Sequence, residues 1–272
     1  MPRASPDGLL QDTAHRPWPL PPGRPVMAMR WLDLLFAHWP VDAAALRPLI
    51  PEGLELDTFD GQAWLGIVPF RMDGVRPPWC PPLPWVSAFA ELNVRTYVRV
   101  PGGGDSRGHS KPGVWFFSLD AANPLAVRTA RLTFHLPYFD ARMRIEERDG
   151  WVRYDSRRTH RGAPPGVFRA RYRPVSEPYL SEPGTLEHWL TERYCLYAAD
   201  RRGRVYRGDI HHVPWPLQPA EAEIEEDTLT SPLGAPGTAL ERPDVAPLLH
   251  FVRRLEVVAW ELKATKRSRN PL

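Results

Sequence analysis

Polar and apolar positions alternate most regularly over residues 89–99. Ala90, Leu92, Val94, Thr96 and Val98 fall on one side of an extended chain there, and Glu91, Asn93, Arg95, Tyr97 and Arg99 on the other. A polar row of this kind is the solvated face of a strand or, where a sheet curls around a cavity, the lining of a ligand site. The pattern leaves both readings open for Glu91 and gives Arg99 to solvent. Extended runs at 28–39, 52–59, 62–70, 114–119, 141–147, 151–157, 166–175, 194–199, 204–213, 222–229 and 248–262 predict a chain built mostly of strands. Asp60-Gly61 and Asp149-Gly150 supply residues that tolerate positive φ, so each is expected to close a two-residue hairpin.

Three segments carry helical signals instead. Asp42 caps 42–49 and Thr185 caps a helix reaching about 194. Between them, Asn123 is placed to accept from free first-turn N–H groups, Pro124 suits the first helical position, and Pro137 stops the helix at or before Leu136. On that helix Val127, Ala130, Arg131 and Phe134 recur at i, i+3, i+4 and i+7, which would bury a guanidinium in need of an anion. Leu125, Arg128 and Leu132 mark a competing stripe that turns Arg131 outward, its stem on the core and its head in water. Periodicity does not choose between the two. In the preceding strand, Val114, Phe116, Ser118 and Asp120 are expected to share one face. Asp120 then either sits at the helix N-terminus, where its charge suits the dipole, or pairs with Arg131. The proline- and tryptophan-rich run 77–85 suits neither helix nor ladder. It is expected to be an ordered loop, either closing a pocket or pinned to the surface by Trp79 and Trp85.

The stretch 113–138, with Glu91-Leu-Asn-Val-Arg95 before it and Asp209-Ile-His-His-Val-Pro-Trp-Pro216 after it, resembles the YqjF-like family of uncharacterised bacterial proteins. The resemblance covers roughly residues 26–263, and that family is in turn similar, more distantly, to acetoacetate decarboxylase. Decarboxylases of that kind carry Gly-Arg-Glu and, a few residues on, Gly-Phe-Pro-Lys-Lys, whose first lysine forms an imine with the substrate. Here the corresponding run is Ala130-Arg131-Leu132 and then His135-Leu136-Pro137-Tyr138-Phe139. The arginine and the proline match, and Tyr138 stands in place of the imine lysine. The resemblance implies an acetoacetate decarboxylase-like fold with an interior pocket near Glu91, Arg131 and Tyr138. Together with the strand pattern it sets the expected fold: mainly β (α+β), a strongly curved antiparallel sheet or barrel around an interior pocket, with two or three helices.

A phenol cannot form an imine; that chemistry needs a primary amine with a free lone pair. Lys111 is the only lysine before Lys263, and it falls in the glycine-rich connection 104–113, expected to be exposed. An imine mechanism is therefore not expected.

The 43% hydrophobic fraction of the 272 residues suits a soluble globular chain. The expected organisation is a disordered proline-rich leader over 1–25, a single domain over 26–262 and a basic tail over 263–272. No run of eighteen apolar residues predicts a membrane span, and the leader lacks an apolar signal core, so a cytoplasmic protein is expected. The net charge of +3 does not predict nucleic-acid binding: Lys263, Lys266, Arg267 and Arg269 put +4 in the tail and leave −1 on the rest. Cys80 and Cys195 lack the spacing of a zinc site or disulfide framework. His211 and His212, adjacent on a strand, point to opposite faces and cannot share a metal, so only one is expected to look inward; Asp209 and His211 share a face and can form a hydrogen-bonded pair.

The expected partner is a small molecule, with no metal or cofactor. Glu91, Arg131 and Tyr138 are the catalytic candidates, and Asn93, Phe116, Ser118, Asp120 and His211 the substrate-binding ones. Arg131 would anchor a carboxylate, Glu91 exchange a proton and Tyr138 donate to a developing oxyanion. These roles suit a lyase- or hydrolase-like enzyme acting on a small organic acid or carbonyl compound. The competing expectation is a ligand-binding or sensor protein that kept the pocket and lost the reactive amine.

Overall fold

The computed structural model describes residues 6–101, 110–233 and 245–265, so the glycine-rich loop at 102–109 and most of the basic tail lie outside the described residues. A helical turn, α1 (Pro6–Leu9), precedes the 15-residue strand β1 (Met27–Val41). Leu35, Ala37 and Trp39 of β1 face one apolar compartment and Leu34 and Phe36 the other. Burial on both faces is why this strand reads as a nearly continuous apolar run.

Asp42 caps α2 (Ala43–Leu46) by accepting from the Ala44 N–H. β2 (Glu55–Leu56), β3 (Ala63–Arg76) and β4 (Phe89–Arg99) follow. Asp60 and Gly61 take φ of 49° and 80° as expected, yet the turn joins only Phe59 to Gln62. The expected hairpin does not extend: β2 pairs with β4, and β3 lies between β1 and β4. β3 buries Leu65 and Ile67 on one side and Val68, Phe70 and Met72 on the other. Such a strand needs a long partner along each edge, which the two-residue β2 cannot be.

β5 (Gly113–Ala121) leads into α3 (Pro124–Thr133), where Asn123 accepts from Leu125 and Ala126 N–H. β6 (Tyr138–Arg148) and β7 (Trp151–Arg158) form the second expected hairpin, closed by Asp149 and Gly150 at φ of 53° and 79°. β8 (Val167–Pro174) and α4 (Leu186–Thr191) come next, α4 capped by Thr185. The chain continues through β9 (Cys195–Ala199), β10 (Val205–His211), β11 (Gln218–Asp227), β12 (Leu248–Ala259) and β13 (Lys263–Ala264).

The thirteen strands make one sheet that closes twice. Passing from β5 through β6, β7, β8, β11, β12, β1, β3 and β4 back to β5 closes a nine-strand barrel. β9 and β10 bridge β5 to β12 and close a smaller ring that shares β12, β1, β3, β4 and β5 with the barrel. Pairing is antiparallel except between β5 and its neighbours β6 and β9. The barrel interior is filled by side chains such as Trp39, Leu92, Val94, Tyr154, Phe168, Tyr172 and Phe251.

The described part of the segment expected to be a disordered leader is instead packed. Leu9 is buried with Ala28, Val258 and Trp260. Arg16 donates from Nη1 to the Ile210 carbonyl at 2.9 Å and to His211 Nδ1 at 3.0 Å, and Trp18 packs on the cluster around Ile50 and Leu54. Proline content suggested disorder, but Leu9, Arg16 and Trp18 are among the side chains that fix its described part. The basic tail also begins in structure, since Lys263 and Ala264 pair with β10. In the 77–85 loop Trp79 and Trp85 are 71% and 93% exposed, so they neither pin the loop nor close a pocket. Arg76 holds it, donating to the carbonyls of Pro78 and Cys80 at 2.8 and 3.1 Å.

Candidate functional site

The smaller ring encloses a cavity of about 210 Å³. Its wall is mostly apolar, with Met29 and Trp31 from β1, Phe70 and Met72 from β3, Ala130 from α3 and Phe134 from its C-cap. Polar groups enter chiefly from β4. Glu91, Asn93 and Arg95, at alternate positions, line the cavity while Leu92 and Val94 fill the barrel. The alternation read from sequence is real, and the polar row faces an interior: Glu91 is 2% exposed and Arg95 8%.

Tyr138 opens β6 opposite Leu119 of β5. His135, at φ 49°, and Pro137 turn the chain out of α3 so that the tyrosine enters the same cavity. Its hydroxyl donates to Glu91 Oε2 at 2.9 Å. Burial pushes the Glu91 carboxyl up to about 8, with the Tyr138 hydrogen bond opposing, so Glu91 is neutral at pH 7. Burial, and then the proximity of Glu91, hold the Tyr138 phenol well above its ordinary value of 10. The pair therefore holds two exchangeable protons away from bulk water.

Beyond Asn93 the cavity becomes cationic. The Arg95 guanidinium lies 5.0 Å from the Phe36 ring centre and donates from Nη2 to the Tyr97 hydroxyl at 3.3 Å. The Tyr97 hydroxyl is also 2.6 Å from Nε2 of His38, a ring kept neutral by burial and then by Arg95. Arg193, just past α4, is 5% exposed. It donates to Asp57 and to the Trp189 carbonyl, each at 2.6 Å. Thr129, Thr191 and Asp209 complete the polar lining, with Asp209 accepting from Arg207 at 3.2 Å.

Of the residues expected at a site, Glu91, Asn93, Phe116 and Tyr138 line the cavity, whereas Arg131, Ser118, Asp120 and His211 do not. Arg131 is exposed at the edge of α3, its Nη1 donating to the Tyr138 carbonyl at 2.6 Å. The face of α3 turned to the protein is Ala126, Val127, Ala130 and Phe134, while Leu125 and Leu132 are open to solvent. Arg131 thus fastens the chain behind the tyrosine and lies outside the cavity lining.

A bulge explains Ser118 and Asp120. β5 pairs Phe116 with Arg95 but Ser118 with Val94, so Phe117 is an extra residue and the facing flips beyond it. Phe116 and Leu119 reach the cavity; Asp120 turns away to accept from Arg158 Nε at 2.8 Å. His211 donates from Nε2 to the Leu9 carbonyl at 2.9 Å and accepts from Arg16, so it pairs with the N-terminal segment and not with Asp209. That segment also buries the face expected to be open, leaving His211 and His212 both fully buried.

Arg95 and Arg193 were not expected in the site. Arg95 stood in the polar row of β4 all along, and Arg193 shared the apolar side of its helix with Leu186, Trp189 and Leu190. Among the described residues no lysine lines the cavity; the Lys111 ammonium lies 5.2 Å from the Trp18 ring centre. Among the same residues no group of three or more His, Cys, Asp or Glu side chains is placed to hold a metal, and no helix is long and apolar enough to cross a membrane.

The model of the family DUF2071, described as "Uncharacterized conserved protein", matches residues 28–256. The chain is 45% identical over 244 residues to the uncharacterized protein YqjF of Bacillus subtilis (strain 168), covering 90% of this chain and 94% of that protein. In structure it is similar to acetoacetate decarboxylase from Legionella pneumophila, with a TM-score of 0.56, 12% identity, and coverage of 94% and 95% of the two chains. It is also similar to the enduracididine biosynthesis enzyme MppR complexed with pyruvate, at TM-score 0.57, 11% identity, and coverage of 94% and 95%. At those identities the likeness is one of fold.

Proposed function

The chain belongs to the DUF2071 family of uncharacterized conserved proteins, and from that premise we propose that it is a small-molecule pocket enzyme acting on an organic acid or carbonyl compound by proton transfer from Glu91, without an imine. The observation that carries this reading is the buried Glu91 carboxyl accepting a 2.9 Å hydrogen bond from a phenol inside an apolar cavity, where burial pushes it up to about 8. A general acid serves best when its pKa lies near the working pH, and burial brings Glu91 there.

The step follows from the geometry. Neutral Glu91 gives its proton to the carbonyl oxygen of a β-hydroxy carbonyl substrate while water takes the β-hydroxyl proton; the bond between the α- and β-carbons breaks, its electron pair flows into the enol, and the β-carbon leaves as an aldehyde or ketone. Tyr138 donates to the carboxylate left behind. The enol then returns its proton to Glu91 as its carbon takes one from the water that accepted the hydroxyl proton. This is lyase-type chemistry, and the dry wall strengthens each of those hydrogen bonds.

With a turned-over substrate in hand, Glu91→Gln and Tyr138→Phe are each expected to lower kcat by about 10²- to 10⁴-fold while ligand affinity stays within about tenfold. Wild-type kcat/KM should fall as pH rises through about 8, when Glu91 loses its proton. Turnover that survives both substitutions removes the pair from the chemistry. One observation favours a second reading: no described lysine lines the cavity. Tight binding without turnover across a panel of keto acids and aldehydes would assign the protein to ligand binding or sensing.

A further inference from the structure

We propose that Arg95 is the anchor for the carboxylate of an apolar-bodied monocarboxylic acid, such as a medium-chain fatty acid or an arylalkanoate. This names the ligand class for the cavity and rests on the reading of Glu91 and Tyr138 given above.

Charge counting inside the cavity leads to it. Glu91 is neutral, Arg193 is paired with Asp57, and Asp209 is paired with Arg207. Arg95, 8% exposed, has aromatic rings and one hydroxyl around it and no carboxylate among the described residues within ion-pair distance. Its Nε has no hydrogen-bond partner, nor does Nη2 of Arg193. The two guanidinium carbons lie 5.7 and 4.8 Å from the centre of the same Tyr97 ring, so both arginines, each of which lines the cavity, sit at one end of it. A buried, uncompensated cation is costly, and a ligand anion relieves that cost. A single net positive charge calls for a monoanion, and a guanidinium edge matches the two oxygens of a carboxylate.

The rest of the wall selects the body of the acid. Met27, Met29, Trp31, Met72 and Phe134 offer it an apolar surface with few polar atoms. Arg95 and Glu91 are four residues apart on one strand, roughly 13 Å between Cα atoms, and Arg95 leans away from Glu91 towards Tyr97. A three- or four-carbon keto acid is too short to meet both ends. A longer acid places its carboxylate on Arg95 and its chain along the apolar wall towards Glu91 and Tyr138.

Decanoate and decanol, titrated calorimetrically and by the change in intrinsic tryptophan fluorescence, to which Trp31 and Trp215 contribute from the cavity wall, test this. Decanoate is expected to bind wild type at least about tenfold more tightly than decanol or pyruvate, the least that a charge-assisted bond contributes. Across shorter homologous acids affinity should rise about fourfold per methylene until the cavity is full. Arg95→Met should weaken decanoate at least about tenfold, leave decanol unchanged, and unfold no earlier than wild type in the absence of ligand. Equal decanoate affinity in wild type and Arg95→Met overturns the anchor, as does equal affinity of wild type for decanoate and decanol. The second comparison needs no variant and decides even if Arg95→Met does not fold. Decanol that still binds after the anchor has failed leaves the Glu91 and Tyr138 reading standing. Arg95-dependent binding with no turnover of any carbonyl-bearing acid removes the catalytic reading and keeps the anchor.

Discussion

Replacing Glu91 by glutamine is expected to flatten the fall in stability that the wild type shows as pH rises from about 5 to about 9. An exposed glutamate titrates near 4.5, and folding raises Glu91 to about 8 through burial. Between those values the folded state holds a proton that the unfolded state has released. Stability therefore falls with rising pH across that window, and the contribution present below 4.5 is lost once pH passes the folded value. A shift of that size corresponds to roughly 5 kcal/mol, a large share of the stability of an ordinary domain. Glutamine keeps an oxygen for the Tyr138 hydroxyl and has no proton to lose. Urea unfolding at several pH values checks this: the wild-type curve should drop with pH relative to the variant. Parallel curves would show that Glu91 is not held neutral.

The second large effect lies behind the site, in the ion pair that holds β5 to β7. Arg158 Nε donates to Asp120 Oδ1 at 2.8 Å, with the side chains 4% and 0% exposed. Even so paired, Asp120 is raised to about 6, burial outweighing Arg158. Arg158→Met strands a carboxylate in an apolar setting, and the expected cost is about 3–5 kcal/mol, read as a lower urea midpoint. Asp120→Asn combined with Arg158→Met should recover part of that loss, because neither charge is then left alone. A cost below about 1 kcal/mol for Arg158→Met would mark the pair as no more than a surface bridge.

The β4 alternation, the Asp149-Gly150 turn and the Asn123 and Thr185 caps could be read directly, because each depends on a few neighbouring residues. Glu91 and Tyr138 were reachable through the family resemblance, and Asn93 through the polar row. The bulge at Phe117 was not readable: an inserted residue leaves the composition of a strand unchanged and reverses the facing of everything beyond it, which displaced Ser118 and Asp120. Arg131 depended on how far α3 rotates about its axis, and two stripes of comparable strength left that open. Arg95 was visible as a polar position, but its importance rests on which carboxylates lie near it, and that is set by pairings such as Arg193 with Asp57 across 136 residues of chain. The double closure of the sheet, which leaves the barrel filled and puts the cavity in the smaller ring, follows from β9 and β10 bridging β5 and β12, contacts too distant in sequence for local patterns to encode.

The most direct test of the account is the protonation state of Glu91 itself. The carbonyl stretch of a protonated carboxyl, taken as the infrared difference between wild type and Glu91→Gln, can be followed from about pH 6 to about pH 10, a range that spans the raised value. The expected result is a band present at neutral pH that disappears with a midpoint near 8. A carboxylate already ionised at the acid end of that range would contradict the account, because Glu91 would then have no proton to give.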